Sequence, residues 1–159
     1  MDAASLFARL IALIVAIRDY AHGAHWLVRG PQFAGDHALL FGELYEALDD
    51  ELDKVVERAV VRCGPQIAEP AVITQNVLGI ATRLRPINDT PIEAVCMELL
   101  SQLTALKATA VGIDDALQSQ PMRDIGMSSY LGNLCEAIDT HIYKISQRAP
   151  QSILRQNPA

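Results

Sequence analysis

Two histidines and two carboxylates in the first half of the chain have the residue types and spacing of a metal site. His25 lies near the end of one predicted helix, and His37 lies near the start of the next, across a tight connection. Asp53 and Glu57 are four positions apart, which places both carboxylates on one face of a helix. Imidazole and carboxylate together suit Fe(II), which accepts nitrogen and oxygen ligands and can keep positions open for an oxidant. The set therefore predicts an iron-oxidising site.

The same residues have a second interpretation that involves no chemistry. Acidic residues recur along the second predicted helix and would form a solvated acidic face there: Glu43, Glu46, Asp49, Asp50, Glu51, Asp53 and Glu57. A histidine considered alone is more often a buried or capping imidazole whose hydrogen bonds are satisfied than a metal ligand. The metal site is favoured because the two histidines occur together with the carboxylate pair.

Helices must position these residues, because apolar side chains recur at helical spacing in four long segments. Gly-Pro pairs at 30–31 and 64–65 end the first two segments. The predicted helices are 2–28, a second one from 34 or 36 to 63, then 91–118 and 124–148, with a short helix at 71–84 in the long connection. This order is a ferritin-like four-helix bundle topology. The sequence thus predicts an all-α fold with one bundle domain, 1–148, and a C-terminal tail, 149–159.

Composition limits the partners that the protein can have. The formal net charge of −6 repels phosphate, and the end of the chain supplies only Arg148 and Arg155, so we expect little or no binding to DNA. Cys63, Cys96 and Cys135 have no metal-site spacing and are expected to be free thiols. The N-terminal residues lack a signal-peptide pattern, and the longest apolar run, 10–17, is far shorter than the roughly 20 residues that cross a bilayer. A soluble, cytoplasmic protein with no membrane partner is expected.

One stretch of the sequence resembles the signature of a known family. His25-Trp26 followed by Val28, Gly30 and Phe33, then His37, Tyr45 and Asp53-x-x-x-Glu57-Arg58, resembles the pattern of the Dps family, whose members are mini-ferritins. The match is dense over residues 22–64 and weaker over 124–143. Residues 65–120 match in layout only.

The resemblance implies a hollow, usually dodecameric shell that oxidises Fe(II) with peroxide or dioxygen and stores ferric iron. In this family the ferroxidase sites lie at two-fold interfaces. His25 and His37 would then come from one subunit, while Asp53 and Glu57 would come from its partner. Trp26 and Tyr45 would lie beside the site without binding the metal themselves. Iron (Fe2+/Fe3+) is the implied metal.

The sequence departs from the family pattern by one extra residue before Tyr45. His37 precedes Tyr45 by eight positions instead of seven, and one extra residue rotates a side chain on an α-helix by roughly 100°. Either the insertion is absorbed early in the second helix, near Gly35, or a π-bulge restores the phase. Otherwise Asp36 or Ala38 would face the metal in place of His37, which makes Asp36 an additional candidate ligand.

A second departure concerns an acidic ligand that many members carry four residues after the second histidine. That position is Phe41, and Asp36 or Glu43 are the candidates to replace the missing acid. The alternative function is therefore a Dps-like structural or assembly protein with a degenerate or inactive metal site. A di-iron site inside one bundle is not expected, because the chain contains no Glu-x-x-His.

Overall fold

The computed structural model describes residues 2–118 and 124–149, and these residues form helices without any strand. The helices longer than a few turns are α1 (Ala3–Leu27), α2 (Glu43–Cys63), α3 (Pro70–Ala81), α4 (Ile92–Gln118) and α5 (Ile125–Ser146). The predicted all-α fold is confirmed, and the long helices begin and end within a few residues of the predicted bounds except at the start of α2, which begins at Glu43 and not at 34 or 36. Residues 119–123, where a proline was expected to separate the last two helices, and 150–159 of the predicted tail lie outside the described residues.

Side-chain caps fix the start of two of the long helices. The Asp2 carboxylate accepts a hydrogen bond from the Ser5 amide at 2.7 Å, and the Asp124 carboxylate accepts one from the Met127 amide at 2.9 Å. Each cap satisfies one of the amides that the first turn of a helix leaves without an internal partner.

The four long helices pack in a ring, in which α1 contacts α2 and α4, and α5 contacts α4 and α2. Their buried faces meet in one core that contains Phe7, Leu10, Leu44, Leu103 and Leu134. This is the four-helix bundle that the periodicity predicted. The short helix α3 lies against α1 on the outside of the ring and has no fully buried residue.

Helix α4 is long and apolar enough to cross a membrane by length and composition alone. The bundle core explains these apolar residues, because Leu99, Leu103, Leu106 and Ile113 are fully buried in it. A core helix of a bundle passes the same test, so this one weakly apolar helix does not indicate a membrane protein.

The connection from α1 to α2 contains an unusual helical segment. One helical turn at Phe33–Gly35 leads into a π-helix at Asp36–Gly42, which continues directly into α2. The Glu43 amide donates to the Ala38 carbonyl, the five-residue spacing that defines a π-helix. Of the two predicted ways to absorb the extra residue, the structure therefore uses the π-helical one, and here it extends over seven residues.

Candidate metal centre

The π-helical segment brings His37 against His25 of α1. The two imidazole rings are stacked, with their centroids 3.6 Å apart and their planes 23° from parallel. His25 Nδ1 lies 2.8 Å from the backbone oxygen of His37, and His37 Nδ1 lies 2.9 Å from the backbone oxygen of His25. The predicted pair of histidines is thus brought together within one chain.

This reciprocal bonding determines the protonation of both rings. A carbonyl oxygen only accepts hydrogen bonds, so each Nδ1 must carry the proton and donate it. In a neutral imidazole the other nitrogen, Nε2, then holds a lone pair. Histidine ligands of metals are commonly fixed in this way by a hydrogen bond from the second ring nitrogen. The His25–His37 pair therefore presents two ring nitrogens, each with a lone pair that is not used by the hydrogen bonds within the pair.

Gly42, at the end of the π-helical segment, lies against the same pair. A Cβ atom at this position would be 3.0 Å from the His37 carbonyl oxygen and 3.6 Å from His25 Nδ1. Any larger side chain would press on the hydrogen bond between the two histidines. Nothing local in the sequence indicates this close approach.

Aromatic rings extend the cluster beyond the two stacked histidines. The ring of His22 stacks on Tyr45 and packs against Trp26, with centroid distances of 4.1 Å in both cases. Tyr45 in turn contacts His25 edge to face at 5.3 Å. Burial and the nearby Glu46 carboxylate raise the pKa of Tyr45. Tyr45 therefore lies beside His25, and His22 connects Tyr45 to Trp26.

Asp53 and Glu57 are placed differently from the histidines. Both are exposed on α2, and neither has a hydrogen bond or ion pair to any residue in the described part of the chain. Other acidic residues of this helix do have partners: Asp49 pairs with Arg18, and Glu51 pairs with Lys54 and accepts from the Tyr130 hydroxyl. Asp53 and Glu57 are therefore exposed carboxylates that no side chain of their own subunit neutralises within the described residues.

One chain does not assemble all four predicted ligands. Within residues 2–118 and 124–149, no group of three or more histidine, cysteine or acidic side chains is close enough to hold a metal ion. The histidines therefore meet each other but do not meet Asp53 and Glu57 of their own chain.

The candidates for replacing the missing acid have other partners. The Asp36 carboxylate is buried and accepts two hydrogen bonds from the Arg148 guanidinium, both at 3.0 Å. Glu43 forms an ion pair with Lys144. Phe41, at the position of the missing acid, is fully buried in the core. None of the three offers a free carboxylate, so Asp36 is not among the ligands that we propose below.

Comparison with known proteins establishes the fold. No protein-family model matches the chain, and no curated protein matches it in sequence. Its structure is similar to the X-ray structure of Dps from Thermosynechococcus elongatus, with a TM-score of 0.75 and 19% sequence identity. The similarity covers 91% of this chain and 88% of that one. The chain therefore shares the fold of that Dps structure, a ferritin-like four-helix bundle.

Proposed function

We propose that this protein oxidises Fe(II) at sites shared between two copies of the chain and stores the ferric product in a hollow, dodecameric shell. The stacked pair of His25 and His37 carries this proposal, because it fixes two nitrogen ligands at a surface of the subunit. Asp53 and Glu57 of a second copy complete the ligand set. A site divided in this way couples iron binding to dimer formation.

The surface around the histidines supports burial by a partner. Trp26, Leu27, Phe33 and Leu39 surround the pair in sequence, and each of these large apolar side chains is between 41% and 68% exposed. Exposed apolar side chains that cluster around a half-complete polar site are typical of an interface. On the short helix α3, Val72 and Leu78 are also exposed.

The ligand set suits the chemistry of iron oxidation. Two imidazoles and two carboxylates bind Fe(II), and the carboxylate charge favours the ferric product. With peroxide as oxidant, each of two Fe(II) ions loses one electron, and one peroxide accepts both electrons as its O–O bond breaks. Hydrolysis of the two Fe(III) ions to oxyhydroxide then releases protons to water. The chain itself holds and orients the Fe(II) substrate and provides acidic side chains near which the product collects.

A specific observation favours the alternative, a Dps-like assembly protein with an inactive site. The position of the missing acid is occupied by a buried phenylalanine, and both replacement candidates are held by cations. A second iron would therefore have fewer ligands than the first. If this loss abolishes oxidation, the bundle serves assembly only.

Matched variants test the proposal. We expect Asp53→Asn/Glu57→Gln to lose most of its Fe(II) oxidation, followed as ferric absorbance with peroxide or dioxygen. Asp50→Asn is the control, because Asp50 is an exposed acid on the same helix that, like Asp53 and Glu57, forms no hydrogen bond or ion pair in the described part of the chain. Wild-type rates no faster than buffer would favour the assembly protein instead.

Mixing two inactive variants tests whether the site is shared. One variant carries His25→Ala and the other carries Asp53→Asn/Glu57→Gln, and they are unfolded and reassembled together. If each two-fold pair shares two sites, a mixed pair contains one intact site and one that lacks all the replaced ligands. Random mixing of equal amounts makes about half of the pairs mixed, so it restores about a quarter of the wild-type activity. A mixture as inactive as its components would show that the ligands do not come from different chains.

A cytoplasmic location and the lack of appreciable DNA binding stay predictions. A gel shift of duplex DNA at low micromolar shell and ordinary salt would contradict the second one.

A further inference from the structure

Two ion pairs connect the ends of the π-helical segment, Asp36–Gly42, to the end of the last helix. Asp36, its first residue, is held by both arms of the Arg148 guanidinium at 3.0 Å. Glu43, which directly follows its last residue, pairs with Lys144. Lys144 lies in the last turn of α5, and Arg148 follows two residues after the end of that helix. The two pairs therefore connect one short stretch of the chain to both ends of the segment.

The pair of Asp36 and Arg148 differs from the other ion pairs of the surface. The Asp36 side chain is only 7% exposed, whereas Asp139, which pairs with Lys107, is 56% exposed. A buried carboxylate needs a partner, and a two-pronged bond from arginine supplies the strongest kind. The hydrogen bond to Asp36 also raises the pKa of Arg148. Exposed pairs such as Lys107–Asp139 contribute little by comparison.

The geometry of this segment determines where His37 lies. A π-helix is rarely longer than one turn, so a seven-residue π-helix needs support from tertiary contacts. If the segment relaxed to an α-helix, its residues would shift in phase by one position, which is a rotation of roughly 100°. His37 would then leave the ring of His25, and the reciprocal hydrogen bonds would break.

We propose that Arg148 and Lys144 are positioning residues, which hold the π-helical segment in phase and thereby keep the two histidines ready to bind metal. This inference rests on the proposed function, because it assigns the pair of histidines to a metal site. Neither cation touches the metal. Both act through the backbone of the segment.

The test compares Arg148→Gln and Arg148→Lys with the control Lys107→Gln, which breaks the exposed pair with Asp139. Solid-state NMR of sedimented, histidine-labelled protein reports the protonated nitrogen of each ring without any metal, and the chain has only four histidines. Zn2+ titration of the same samples reports the affinity of the metal site. Circular dichroism verifies that each variant is folded.

We expect Arg148→Gln to change the signals of His25 and His37 and to weaken Zn2+ binding about 10- to 100-fold. Arg148→Lys keeps the charge but not the two-pronged bond, and we expect it to restore part of the affinity. Lys107→Gln should leave both measurements unchanged. Wild-type signals and affinity in a folded Arg148→Gln protein would overturn the inference. A wild type that binds no Zn2+ would contradict the proposed function. The inference about Arg148 would still be tested in that case, because the signals of His25 and His37 either change in Arg148→Gln or stay as in the wild type.

Discussion

His25 and His37 each donate a hydrogen bond from Nδ1 to the backbone carbonyl of the other, at 2.8 and 2.9 Å. Neither ring can rotate without breaking its own hydrogen bond to the backbone of the other residue. Preorganisation of this kind lowers the entropy that is lost when a metal binds, and it selects the tautomer in which Nε2 is free. The two residues come from different helical elements, so the relationship depends on how the connection between them folds.

Replacement of Gly42 tests the dependence of the pair on close packing. We expect Gly42→Ala to lower the free energy of unfolding by about 1–3 kcal/mol, because the added methyl group lies 3.0 Å from the His37 carbonyl oxygen. Chemical denaturation measures the loss, and Fe(II) oxidation by the same variant should fall. The control is Gly132→Ala on α5, where nothing lies within 4 Å of the added carbon. Equal stability of the two variants would show that the space at Gly42 is not critical.

The helices could be predicted because apolar periodicity is local information. Counting the residues between His37 and Tyr45 left a few alternatives for the direction in which the His37 side chain points from its helix. The choice among these alternatives depends on a contact between Asp36 and Arg148, which are 112 positions apart. The sequence also suggested Asp36 as a ligand, since no local signal shows that a distant arginine binds its carboxylate. For similar reasons the proximity of Gly42 to His25 was not predictable.

Restoring the acid that the family pattern places at position 41 should disrupt folding instead of completing the site. Phe41 is fully buried, so Phe41→Glu would remove a large apolar side chain and bury a carboxylate. We expect a loss of at least about 3 kcal/mol in the free energy of unfolding, measured by denaturation. Phe41→Leu, which stays apolar, should lose much less. A folded Phe41→Glu protein with faster Fe(II) oxidation would show that the segment can turn this position towards the metal.

The only tryptophan of the chain reports directly on the proposed interface. Trp26 is 68% exposed in a single subunit and packs on one side against His22. If a second copy covers the histidines, the indole loses water contacts, and its fluorescence maximum should lie at a shorter wavelength in the assembly than in folded, dissociated subunits. Size-exclusion chromatography identifies the two species. An intact assembly that emits like a fully solvated indole would place the interface elsewhere.

His141 should make the protein less stable in mild acid. Burial, followed by the charge of Lys144, lowers the pKa of this imidazole, and Glu43 only partly opposes the effect. The unfolded chain therefore binds a proton more readily than the folded one. Stability should be fully present above the ordinary histidine pKa of 6.5 and should decrease as the pH falls below it, towards the lowered folded value. Thermal unfolding at several pH values measures this decrease, and His141→Gln should make it smaller. His22→Gln is the control, and an identical decrease in wild type and His141→Gln would show that other groups cause the acid sensitivity.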